Sequence, residues 1–97
     1  MYRNPFQFET AGNHTRVNTD TMQSVTIPGT ANLVLIQAEA QPIRYTINST
    51  VPTATTGFRL LPTEGVLRLD AIQGTTIRFI SESAGAFVNY QLCRSAN

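Results

Sequence analysis

The side chains able to do chemistry are few and far apart in this chain. There is one histidine, His14, one cysteine, Cys93, and six scattered carboxylates: Glu9, Asp20, Glu39, Glu64, Asp70 and Glu82. A hydrolase triad could be assembled on paper from His14, Asp20 and a serine. No serine, however, sits in the Gly-x-Ser-x-Gly turn that exposes a nucleophile at the end of a strand. Zinc needs clustered thiolates and imidazoles, and calcium an Asp-rich loop of set spacing; neither pattern is present. Spacing identifies no glycosidase-like carboxylate pair. The six glycines stand singly, each at a turn, so no glycine-rich loop is available to cradle a phosphate. The expectation is a protein that is not an enzyme and carries no cofactor or metal. Cys93 cannot form an intramolecular disulfide, and it is expected as a buried thiol near the end of the last strand, in a chain that folds in a reducing compartment.

What remains is the chemistry of binding. All seven basic residues are Arg, and none is Lys. The planar guanidinium suits partly buried contacts, where it forms bidentate pairs and stacks on aromatics. The arginines are isolated among neutral residues, without the cationic stripe that releases counterions from phosphates, so nucleic acid is not an expected partner. Tyr2, Arg3, Pro5, Phe6 and Phe8 crowd the start of the chain and are candidate anchors, since aromatics and Arg dominate binding hot spots. A second candidate contact is the run Asn48 to Gly57, Asn-Ser-Thr-Val-Pro-Thr-Ala-Thr-Thr-Gly, with Thr53, Thr55 and Thr56 at its tip; its small hydroxyl residues permit close backbone approach. Arg44, on the strand before it, joins this group. Asn13-His14-Thr15 and Asn48-Ser49-Thr50 match the glycosylation acceptor pattern, and in so Thr-rich a chain they are expected to be chance matches.

These groups must be positioned by strands. The 97 residues suffice for one core, 41% of them are apolar, and only 13% are charged, with a net charge of +1, so Thr, Ser, Asn and Gln must cover much of the surface. Residues 1–21 have no sustained period and Pro5 and Gly12 interrupt them; they are expected as an extended arm, with one short strand near Thr15 to Val17. At full stretch twenty residues reach on the order of 65 Å, enough to cross a neighbouring subunit. Residues 22–97 show short β-runs punctuated every eight to twelve positions. Val25 and Ile27 alternate with polar neighbours, as do Ile43, Tyr45 and Ile47, then Ile77 and Phe79, then Val88, Tyr90 and Leu92. Leu33 to Ile36 is a continuous apolar run suited to a strand covered on both faces. Phe58 to Leu61 and Val66 to Leu69 read as a hairpin across Pro62-Thr-Glu-Gly65. The segment Gln37 to Gln41 is too short to sustain a helix before Pro42. The predicted fold is all-β: a small antiparallel β-sandwich or jelly roll of seven to eight strands with an extended N-terminal arm. The opening residues hold no apolar segment of signal-peptide length, and no run approaches a membrane span, so no membrane association is expected.

The order of these strands resembles that of small virion-associated proteins of tailed bacteriophages. The resemblance runs from about Val25 to Arg94 through Leu33 to Ile36, Gln41 to Tyr45, the loop Pro52 to Gly57, the Leu-rich segment, Ile77 to Ile80 and Ala84 to Tyr90. Its most specific element is Arg44 ahead of Pro52-Thr-x-x-x-Gly57, and it does not extend to the residues before Met22. It implies a capsid cement, or decoration, protein. Such a protein binds the major capsid protein on the outer face of an assembled phage head, as a homo-oligomer with a trimer favoured and a dimer as the alternative. It also implies a place on the virion exterior after assembly in the host cytoplasm. The same resemblance allows a tail or baseplate module that contacts other virion proteins or a host-surface glycan.

Overall fold

The structure is a computed structural model and describes residues 8–95. Nine strands form among the described residues: β1 (Phe8–Thr10), β2 (Thr15–Asn18), β3 (Gln23–Thr26), β4 (Leu33–Glu39), β5 (Ile43–Ile47), β6 (Phe58–Leu60), β7 (Leu67–Asp70), β8 (Thr76–Ser81) and β9 (Phe87–Ser95). They make two antiparallel sheets. One has the order β1-β9-β4-β7, with β2 also pairing β9; the other has the order β3-β8-β5-β6.

Alternation of side chains explains why the two sheets face each other. Val34, Ile36 and Ala38 of β4 and Val88 of β9 point inward from the first sheet, and Val25, Ile43, Leu60, Ile77 and Phe79 from the second; all are buried in one apolar cluster. Phe79 and Tyr90 stack across the two layers with ring centroids 6.3 Å apart. The result is a sandwich-like all-β fold with one core. The apolar run at the start of β4 behaves as its composition predicts: Leu33, Val34 and Ile36 are buried and Leu35 is half-buried.

Residues 8–18, part of the expected arm 1–21, run antiparallel along the free edge of β9, where Phe8–Thr10 pairs with Ser95–Cys93 and Thr15–Asn18, the short strand expected near Thr15 to Val17, with Tyr90–Phe87. Between them the Ala11 amide donates to the Leu92 carbonyl at 2.9 Å. The reason is the length of β9. Its nine residues offer more unpaired backbone than β2 alone can satisfy, and an open sheet edge recruits whatever strand can reach it. Tyr2, Arg3, Pro5 and Phe6 lie outside the described residues, and Phe8 begins β1.

One expectation is corrected: the hairpin across Pro62 to Gly65 does not form. β6 pairs with β5 and β7 with β4, so the two segments belong to different sheets. The connection crosses from one layer to the other through a single 3₁₀ turn at Pro62–Glu64, closed where Glu64 Oε1 accepts the Leu61 amide at 3.1 Å. Pro62 starts that turn rather than a tight reversal.

One end of the sandwich is closed by a polar knot. Thr19 and Ser81, both buried, share a hydroxyl contact of 2.9 Å; Thr19 Oγ1 donates to the Ala86 carbonyl; and Asp20 Oδ1 accepts from Ser81 Oγ at 3.0 Å and from the Gly85 amide at 2.8 Å. These bonds hold the Asp20 carboxyl below its usual range, the Gly85 amide contributing most. They tie the β2–β3 connection to the β8–β9 connection.

Candidate binding site

At the opposite end, the long β5–β6 connection folds back on the outer face of its own sheet. Thr46 points outward from β5, yet it is buried, because Thr46 Oγ1 donates to the Thr50 carbonyl at 2.5 Å. The start of the loop is set by Asn48 in a left-handed conformation, φ 63°, which an Asn tolerates better than a branched residue. Its amide donates to the Thr76 carbonyl, its Oδ1 accepts the Thr76 amide at 3.1 Å, and its carbonyl accepts Arg78 Nε at 2.6 Å. At the far end the Gly57 carbonyl accepts Arg44 Nη1 at 3.0 Å. Between these braces Thr53 and Thr56 exchange backbone hydrogen bonds, and Thr53 Oγ1 accepts the amides of Thr55 and Thr56 at 3.2 and 2.9 Å. The loop is therefore held at its base by two guanidiniums and at its tip by a threonine turn.

This bracing presents apolar groups to solvent. Ile47 is 44% exposed, Val51 60% and Phe58 63%. Ile47 and Phe58 line a depression of about 440 Å³ with Thr46, Thr50, Thr56 and Gly57. Phe58 rests against Tyr45 with ring centroids 5.4 Å apart, which fixes its inner edge and leaves its outer face open. Exposed apolar side chains that lie together mark a protein contact better than single ones do, and Ile47 and Phe58, at the strand ends on either side of the loop, share this depression.

The candidates from sequence divide accordingly. Thr53, Thr55 and Thr56 lie together at the loop tip, exposed, with the Thr53 hydroxyl used to hold the turn. Arg44 is a brace, committed to Gly57 and, through Nε, to Glu82 Oε2 at 2.7 Å. Sequence reasoning missed Ile47, Val51 and Phe58. The available signal was that they flank or interrupt a hydroxyl loop, where a core role would need a covering element.

The remaining titratable groups are engaged elsewhere. His14 Nε2 meets Asn89 Oδ1 at 3.0 Å, Asn89 Nδ2 donates to Glu39 Oε1 at 2.8 Å, and Arg16 grips both Glu39 oxygens at 2.9 and 2.7 Å while covering the Phe87 ring. Arg16 and Asn89 together hold the Glu39 carboxyl down at about 2. His14 and Asp20 thus belong to separate networks, and the imagined triad does not assemble. Among the described residues no three His, Cys, Asp or Glu side chains are grouped to hold a metal ion. Cys93 is buried, and burial pushes its thiol above the ordinary range. The Asn48 side chain of one glycosylation match is hydrogen-bonded to Thr76. Comparison of the chain with protein-family models, curated proteins and solved structures finds no match.

Proposed function

We propose that the protein works by adhesion, docking through loop 48–57 and its apolar flank onto the surface of another protein. The observation that carries this reading is the braced loop, with Ile47 and Phe58 held open around a depression and Val51 exposed on the loop itself. Preorganisation matters because binding costs the entropy of ordering loops and side chains, and a loop already tied by Arg44, Arg78, Thr46 and Thr53 loses little on contact.

The partner we assign is the outer face of an assembled phage head, with the protein as its cement. Two things support it: the phage-protein resemblance of residues 25–94, and the strand order. We read the pairing of β2 with β9 in the sheet β9-β4-β7, beside the sheet β3-β8-β5-β6, as favouring the jelly-roll alternative, an architecture used by viral capsid and lectin domains among others. Fold alone does not imply function, so the loop bears the weight. A trimeric cement would multiply a modest contact, about 800 Å² per copy in a standard interface, by avidity.

The test is a binding assay on purified heads. Val51→Ser with Phe58→Ser should keep the β-sheet circular-dichroism spectrum and lose retention on heads sedimented through a gradient. Electron microscopy should place the wild-type protein in many copies on the head. Retention of the double variant at wild-type level, or density confined to the tail, would overturn the assignment.

A further inference from the structure

The two outer faces of the sandwich carry charge differently. The strands of the first sheet hold Arg16, Arg68 and Arg94 against Glu9, Glu39 and Asp70. Arg16 pairs with Glu39 at 2.7 Å, Arg68 with Asp70 at 3.0 Å, and Glu9 stands opposite Arg94 in the register. The strands of the second sheet, Gln23–Thr26, Ile43–Ile47, Phe58–Leu60 and Thr76–Ser81, hold Arg44, Arg59 and Arg78 and no carboxylate.

All three point away from the core. Arg44 alternates with buried Ile43, and Arg78 with buried Ile77 and Phe79; Arg59 stands directly opposite Arg44 in the register. Like charges opposite each other on neighbouring strands destabilise a sheet. Relief comes from a connection: the same oxygen, Glu82 Oε2, accepts Arg44 Nε at 2.7 Å and Arg59 Nε at 2.9 Å. Asp20, at the same end of the fold, is turned to Ser81 and Gly85. Three guanidiniums against one carboxylate leave this face in excess by two positive charges, on a chain whose net charge is +1. Each guanidinium has five N–H donors, and the Arg59 side chain is 50% exposed, so donors remain for a ligand.

The geometry points to this arginine face as a docking surface for an acidic protein patch. It deepens the adhesive reading and rests on it, because Arg44 and Arg78 also brace the ends of loop 48–57 and so make the face continuous with that loop. Carboxylates fit better than nucleic acid. The guanidinium fork matches a carboxylate bidentately, whereas tight duplex binders commonly engage about 6–10 phosphates, more than three arginines on one small sheet can reach.

The test uses the full chain labelled with ¹⁵N and poly-L-glutamate as the probe, with a DNA duplex of matched charge as comparator. Amide shifts should move in β5, β6 and β8 at low ionic strength and recover as salt is added. Arg59→Gln with Arg78→Gln should weaken binding roughly tenfold, while Arg16→Gln with Arg68→Gln should leave it unchanged. Arg59→Gln alone, at a half-exposed site, should give an intermediate loss and guards against a folding defect in the pair. Shifts spread equally over both sheets, equal loss from the first-sheet variants, or tighter binding to the duplex would overturn the proposal. Val51→Ser with Phe58→Ser should still bind poly-glutamate. If that variant loses heads while Arg59→Gln with Arg78→Gln keeps them, the loop reading stands and the arginine face falls.

Discussion

At Gly57 the backbone has φ 122°, and a Cβ built there would stand 2.8 Å from the Tyr45 carbonyl oxygen. Both facts disfavour a side chain, so Gly57→Ala should cost about 1–3 kcal/mol, read as a lower urea midpoint with an unchanged slope. Glu39 provides a second test. Its carboxyl has a folded value of about 2 against an ordinary value of 4.5, because Arg16 and Asn89 bond its charged form. A depressed carboxyl contributes stability in full above its unfolded value and loses it as pH falls through the folded one. Stability should therefore decline between about pH 4.5 and 2. Glu82 and Asp20, also held low, add to the same acid-side loss. Glu39→Gln should flatten part of that decline, measured by thermal unfolding at stepped pH. The pair is half in solvent, so the effect at neutral pH should be small.

At the scale of elements, loop 48–57 is a unit of its own, braced at both ends onto the sheet that it folds over. Thr53→Ala removes the hydroxyl that accepts two amides, and the amides of Thr55 and Thr56 should then exchange faster with solvent while those of β8 keep their protection. Uniform loss of protection would mean that the loop is not a separate unit. Much of this scale was legible in the sequence. Ile43 to Ile47, Ile77 to Phe79 and Val88 to Leu92 are strands with the predicted alternation, because a period of two is a local property of the chain, although Ile47, expected on the core face, is exposed at the strand end. The hairpin expected around Pro62 was not. Both its flanks are apolar runs, and periodicity does not say which sheet a run joins.

For the whole molecule, one core serves both layers. Phe79 is fully buried and stacks on Tyr90 across them, so Phe79→Ala should cost about 3–5 kcal/mol and, at about 4–8 °C per kcal/mol, lower the melting temperature by more than about 12 °C. The buried Cys93 thiol should become reactive to a thiol reagent only in step with that global unfolding.

The all-β character, most of the core-facing side chains and most of the turns were already legible in the residue order, since each rests on neighbours within a few residues. The sequence also singled out the threonine loop, through its composition. Only in the folded chain do residues 8–18 line the edge of β9, do Arg44 and Arg78 brace the loop, and do Arg44 and Arg59 of one sheet share the single carboxylate of Glu82 while Arg16 and Arg68 of the other have one each. Those outcomes depend on strand pairing between residues far apart in the chain. Pairing is settled by which edges and faces can be satisfied together, a property no single segment carries.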